Sequence, residues 1–120
     1  MNYRKDAGIA AEELARRHLE AAGLTFVLRN YRCKAGELDL VMIEKRTLVL
    51  VEVRYRSFSQ FGSAAASVDI WKQRKFVTAA RHLLLTHAEL RRYPARFDVV
   101  AVDHCASANR IEWIKGAFMI

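Results

Sequence analysis

A chain of 120 residues that is 52% hydrophobic and carries a formal net charge of +7 has the size of one ordinary domain, residues 1–120, and ample apolar content for a core, which excludes intrinsic disorder. No stretch approaches the ~20 apolar residues of a membrane-spanning helix, and no signal-peptide core follows Met1–Asp6, so a cytoplasmic location without a membrane partner is expected. The basic balance favours polyanions, nucleic acid before an acidic membrane surface, and is silent on fold.

Residues Lys5 to about Ala22 read as a helix, with Ala7, Ala11, Leu14, His18 and Ala22 at helical spacing and Gly23 as its stop. Glu12 falls at the margin of the buried face, in line with Gly8, Ala15 and Leu19, whereas Glu13 points to solvent with Arg17. Leu24–Arg32 reads as a first strand. Leu38–Ile43 and Thr47–Tyr55 are β-rich runs around a short polar turn, Glu44-Lys45-Arg46. A loop from Ser57 to Ala66 follows. Ser67 is expected to cap a helix running to about Ala88, with Asp69 in its first turn. After Pro94, Arg96–Val102 is a fourth strand and Ile111–Ile114 a short fifth. The order α-β-β-β-α-β-β, with continuous apolar central strands, predicts an α/β fold: a mixed sheet of about five strands with helices on both faces.

The chemistry concentrates in the central hairpin. If Lys45 and Arg46 form a two-residue turn, Asp39 lies opposite Glu52 and Glu37 opposite Arg54, with facing Cβ atoms about 4.5–5.5 Å apart. Period-two alternation then places all four on one face, which Val41, Ile43, Leu48 and Leu50 continue into the core. Two facing carboxylates repel unless a cation sits between them, and hard oxygen ligands suit Mg²⁺ or Mn²⁺. A cross-strand salt-bridge cluster is the competing reading of the same residues.

On the next helix, Lys72 aligns with Phe76, Ala79, Ala80, Leu83 and His87, a cation heading an apolar stripe. It is either held over the carboxylate end of the sheet or simply snorkelling. Arg54-Tyr55-Arg56, Phe58, Phe61, Trp71-Lys72 and Arg74-Lys75 form a basic patch with interleaved aromatics. Arg56, Arg74 and Lys75 are its expected nucleic-acid contacts. Phe76 is expected in the core, Trp71 either there or stacking. Arg91, Arg92 and Arg96 form a second basic group, expected to be solvated. Cys33 and Cys105 lack metal spacing and are expected as free thiols, and His82 and His87, five apart, share no helical face.

Gly36-Glu37-Leu38-Asp39-Leu40-Val41, Val49-Leu50-Val51-Glu52-Val53-Arg54-Tyr55-Arg56, Lys72 and Arg96-Phe97-Asp98-Val99-Val100 resemble the YraN-like family of uncharacterised bacterial proteins. So do Gly8-Ile9-Ala10-Ala11-Glu12 with Ala15 and Leu19, and Asn30-Tyr31-Arg32. That family is similar to restriction-endonuclease-like PD-(D/E)XK nucleases and, among them, to archaeal Holliday junction resolvases. The resemblance implies a restriction-endonuclease-like three-layer core, with Asp39 as the motif aspartate, Glu52 as the glutamate and Glu12 as the acid of the first helix. Resolvase-like relatives act as dimers, which makes a homodimer one option here; the oligomeric state stays open, since no residue marks an interface. The chain departs from the motif at the lysine position, which is Arg54; arginine stabilises charge or orients water but is no general base, and Lys72 is placed to compensate.

The expected function is metal-dependent hydrolysis of DNA phosphodiesters. Asp39, Glu52 and the Val53 carbonyl hold Mg²⁺ or Mn²⁺; Arg54, Lys72 and Glu12 complete the catalytic set. A nucleic-acid-binding module that keeps the fold without the chemistry is the alternative, and a purely structural or partner-binding protein the third reading.

Overall fold

Residues 3–57, 69–104 and 109–118 are described by a computed structural model, with side chains over 8–55, 69–103 and 110–118. The expected loop after Ser57, with Ser67, Phe58 and Phe61, and also Cys105 and the Arg56 side chain, lie outside these described parts. Helix α1 (Tyr3–Ala21) leads into three strands, β1 (Thr25–Cys33), β2 (Gly36–Glu44) and β3 (Thr47–Ser57). Helix α2 (Ile70–Thr86), a 3₁₀ turn at Ala88–Arg92, and strands β4 (Ala95–His104) and β5 (Asn109–Phe118) follow. The strands form one mixed sheet in the order β1-β2-β3-β4-β5. Only β3 and β4 run parallel, joined by the crossover that contains α2; the other neighbours are antiparallel. No helix among the described residues is long and apolar enough to cross a membrane.

The α/β layout with helices on both faces is as expected, and its cause is visible in the packing. On one side Ala11, Ala15 and Leu19 of α1 bury against Leu40, Met42, Val49, Val51, Val100 and Val102. On the other, Phe76, Ala79, Ala80 and Leu83 of α2 cover Val41, Leu48, Leu50 and Phe97. Central strands covered on both faces carry no polar alternation, which is why Leu48–Val51 are all apolar. The buried stripe of α1 is Ala11–Ala15–Leu19, so His18 and Ala22, expected within it, are exposed.

Local chemistry sets the boundaries. Asp69, not Ser67, caps α2, its Oδ1 accepting the Lys72 N–H at 2.9 Å. The helix ends at Thr86, before the expected Ala88, where His87 leaves helical geometry (φ −128°, ψ 74°). The guanidinium of Arg91 donates back to the Leu84 carbonyl at 2.7 Å, satisfying an open helix end. Strand β5 is longer than the expected Ile111–Ile114. Its pairing shifts between Phe97 and Val99 and resumes at Phe97↔Phe118, with Gly116 at φ 58° in the irregular stretch.

Gly36 opens β2 directly under α2. A Cβ there would stand 3.0 Å from the main-chain oxygen of Lys75, an atom that cannot swing aside. Gly36→Ala is therefore expected to lift the β1–β2 turn from the helix and cost about 1–3 kcal/mol in urea denaturation. A loss below about 0.5 kcal/mol would mean the turn is not seated there.

Candidate functional site

The expected two-residue reversal at Lys45 and Arg46 is present: Glu44 pairs with Thr47, and the ladder runs to Leu40↔Val51. Lys45 takes φ 56° to make the turn. One pair short of Asp39 and Glu52, the ladder ends. There the Asp39 side chain takes over, Oδ2 accepting the Val53 N–H at 2.8 Å. A carboxylate thus sits in the seam between β2 and β3 where a main-chain carbonyl would have continued the ladder.

The simple alternation expected for β2 is corrected at the same point. Leu38 packs with Val41 on the α2 side, whereas Leu40 packs on the α1 side. Residues 38 and 41 cannot share a face in a regular strand, so the chain turns over at Asp39. The facing irregularity on β1 is Asn30, left-handed at φ 54°, between the pairs Arg29↔Leu40 and Tyr31↔Leu38. Asparagine tolerates that conformation better than other non-glycine residues. Glu37, expected opposite Arg54, instead pairs across the other hairpin, its carboxylate 2.9 Å from Arg32 Nε.

The two acids meet nonetheless. The Asp39 and Glu52 carboxyls lie within hydrogen-bonding reach of each other, which requires a proton or a cation between them. Asp39 is 7% exposed. Its burial, and then the charge of Glu52, push its pKa up to about 8, against the Val53 N–H that favours the ionised form. Glu52 is also raised, by burial, although its bond with Asp39 and the charges of Arg54 and Lys72 pull the other way. Both carboxyls are thus held above the ordinary carboxylate range, and one proton shared between them relieves their repulsion.

The remaining expected site residues gather at this seam. Arg54 Nη1 stands 3.6 Å from Glu52 Oε1. Lys72 is exposed on α2, near enough for its charge to act on Glu52. Glu12 reaches from α1: burial and then the charge of Asp39 raise its pKa, opposed by a hydrogen bond from Asn30. Asn30 thus links the strand break to the helix acid, and its residue type was the only sequence signal for it. The carbonyl of an extended residue leaves the strand on the same side as its N–H, so Val53 also presents its oxygen toward the seam. Among the described residues no three His, Cys, Asp or Glu side chains cluster closely enough to hold one metal. Two carboxylates and one main-chain carbonyl, with water completing the shell, are donors of the kind that hard cations such as Mg²⁺ accept.

The basic residues divide. Lys72, Arg74 and Lys75 are exposed on α2, and Arg74 lies over the face of Trp71 at 5.2 Å. Trp71 is 66% exposed, so it is no core anchor, while Phe76 is buried as expected. Arg96 is not solvated. It bonds Asp98 at 2.9 Å through Nε and Glu44 at 2.9 Å through Nη1. The fully buried Asp98 also accepts from Trp113 Nε1 and the Gly116 N–H, both at 2.9 Å. Sequence reasoning missed that cluster, although Arg96 and Asp98, two apart on one strand, share a face. His82 and His87, expected apart, both approach Tyr31: His82 Nδ1 hydrogen-bonds its hydroxyl, and the His87 ring lies edge-on at 5.9 Å. The helical wheel fails for His87 because the helix has already ended.

Comparison with known proteins places this arrangement in a family. The model of the "Uncharacterised protein family UPF0102" matches residues 11–102, which hold Glu12, Asn30, Asp39, Glu52, Arg54, Lys72 and Asp98. The chain belongs to the UPF0102 family. It is similar to a UPF0102 protein of Saccharophagus degradans, 51% identical over 120 residues, covering 100% of this chain and 98% of the other. A UPF0102 protein of Stutzerimonas stutzeri is 44% identical over 118 residues, 98% of each chain. One of Alcanivorax borkumensis is 41% identical over 119 residues, 98% of this chain and 95% of the other. These UPF0102 relatives extend along essentially its whole length, so the sheet, both helices and the acidic seam fall inside the shared region.

Proposed function

We propose that this UPF0102 protein is a metal-dependent nuclease that hydrolyses phosphodiester bonds in DNA, with Mg²⁺ or Mn²⁺ held by Asp39, Glu52 and the Val53 carbonyl. The observation that carries the reading is the buried Asp39–Glu52 pair itself. Two unit charges ~4 Å apart would repel by roughly 4 kcal/mol at an effective dielectric near 20, so the pair must hold a shared proton, and a bound divalent cation relieves the same repulsion in its place. Asp98 is the contrast within the same sheet: a buried carboxylate with a structural role is ringed by donors from Arg96, Trp113 and Gly116. Asp39 has one main-chain donor and another acid.

The arrangement supports kinship with the PD-(D/E)XK nucleases: an acid on β2, a Glu-x-basic segment on β3 and an acid on the first helix. A bound divalent cation supplies Lewis-acid polarisation of the phosphate and a water of lowered pKa. Within the chain, Asp39 and Glu52 provide the negative oxygens that seat it. Arg54, held beside Glu52, offers its guanidinium to the charge that develops on phosphate oxygens. Lys72 binds a phosphate from the helix side, and Glu12, kept in place by Asn30, accepts a hydrogen bond from water at the edge of the seam. Branched, flapped and plain duplex DNA all remain candidate substrates.

A non-catalytic nucleic-acid-binding role is the second reading, favoured by one observation: the motif lysine is an arginine already paired with Glu52. Cleavage assays on linear, flapped and four-way-branched DNA with Mg²⁺ or Mn²⁺ separate the two. Arg54→Ala is expected to lower the cleavage rate about 10²–10³-fold, with Arg54→Lys retaining most of it. Absence of divalent-dependent cleavage by the unaltered chain on all three substrates would hand the case to the binding module.

A further inference from the structure

The turn between β1 and β2 and the second turn of α2 flank an open cleft of about 360 Å³, with Arg32, Lys34, Glu37 and Lys75 as its charged lining beside Cys33 and Gly36. Its charge is three cations against one carboxylate. Arg32 and Glu37 satisfy each other at 2.9 Å. Lys34 and Lys75 form no ion pair with any described residue and are exposed, so the cleft opens to solvent with two uncompensated ammonium groups. The missing Cβ of Gly36 keeps the turn against the helix, which is what brings the two lysines around one space.

The cleft lies within electrostatic range of the acidic seam. Glu37 on its wall is one of the charges acting on Asp39. Lys72, whose charge acts on Glu52, precedes Lys75 by three residues, ~4.5 Å along the helix axis. Phosphates of one strand follow one another at ~3.4 Å of axial rise.

We infer that this cleft is a phosphate subsite, holding the sugar–phosphate backbone of a nucleic-acid strand a nucleotide or two from the Asp39–Glu52 centre. The inference rests on the nucleic-acid reading of that centre and adds the path of the strand: along the β1–β2 turn and the Lys72–Lys75 face of α2. Two lysine point charges in an open cleft attract one free anion weakly. A polyanion gains more, because each neutralised phosphate releases condensed counterions.

The test uses the full chain carrying Asp39→Asn, which binds without cutting, with a labelled DNA duplex titrated by anisotropy over a range of salt. Lys34→Gln with Lys75→Gln is expected to weaken binding and flatten the plot of log affinity against log salt by about 1.8, two contacts at about 0.9 each on a duplex. Replacing both by arginine restores the slope. Bound DNA is expected to slow maleimide labelling of Cys33, read by peptide mass spectrometry so that Cys105 is scored separately. An unchanged slope and affinity in the glutamine pair overturns the subsite, as does protection of Cys33 by inorganic phosphate but not by DNA. Cleavage is assayed separately in the chain with native Asp39. A protein that never cuts but keeps the Lys34/Lys75 salt effect loses the nuclease reading alone. One that cuts while the glutamine pair binds like the parent loses the subsite alone. No DNA binding at low salt overturns both.

Discussion

Asp39→Asn is expected to stabilise the metal-free protein at pH 8 while abolishing divalent-dependent cleavage by at least about 10³-fold. The amide is nearly isosteric. Its oxygen still accepts from Val53, and its NH₂ donates to Glu52 in place of the shared proton. In the unfolded chain this aspartate titrates near 3.8; in the fold it is pushed up to about 8. Between those values the folded state holds a proton that the unfolded state has released. Stability therefore falls as pH rises from about 4 toward 8 and is lowest above 8. The slope from one such group approaches about 1.4 kcal/mol per pH unit, so a few kcal/mol are at stake across the range. Glu12 and Glu52, also raised, add slope of the same sign. Denaturant titrations at pH 5 and pH 8 check this. The unaltered chain loses stability over that interval and regains it at pH 8 with Mn²⁺, whereas Asp39→Asn shows a much flatter profile and little gain from metal. Equal stability of the unaltered chain at both pH values would contradict the buried, mutually strained pair.

The largest loss of stability is expected from Asp98→Ala. The Asp98 carboxylate, fully buried, accepts from both arms of Arg96, at 2.9 and 3.1 Å, from the Trp113 indole and from the Gly116 main chain. These bonds hold the irregular stretch of β5 against β4. Through Arg96 they extend to Glu44, which Lys115 also approaches at 3.4 Å. Removing the carboxylate strands a half-buried guanidinium and two N–H groups, a loss of about 3–5 kcal/mol. Asp98→Asn is also harmful, since one accepting oxygen becomes a donor facing donors. Urea denaturation followed by the emission of Trp113 and Trp71 measures it. A change below about 1 kcal/mol would mean that β5 is held by its ladder and not by this carboxylate.

Much of this was legible in the residues. Lys45 and Arg46 between two β-rich runs predicted a turn whose register the ladder reproduces, and the Phe76–Ala79–Ala80–Leu83 stripe marked the buried face of α2. Period-two extrapolation failed at Asp39 because it assumes an unbroken strand. The break depends on Asn30 adopting left-handed geometry on a neighbouring strand, a tertiary event with no periodic signature. The two acids that the extrapolation pairs still meet, because a side chain bridges the gap that the backbone leaves. Proximity in sequence groups Arg96 with Arg91 and Arg92, whereas the strand face that it shares with Asp98 decides its partners. Serine and aspartate are equally good caps by residue type, so the sequence does not separate Ser67 from Asp69, two residues on, which is the cap observed.

Calorimetric titration of Mn²⁺ into the metal-free protein near pH 7 addresses the central claim most directly. With Asp39 and Glu52 as the seat, the unaltered chain binds one ion and releases a proton to buffer, because the ligands must ionise. Both the heat and the proton release vanish in Asp39→Asn and in Glu52→Gln. An unaltered chain that takes up no Mn²⁺, or variants that bind it as the parent does, would contradict a shared cation at the seam between β2 and β3.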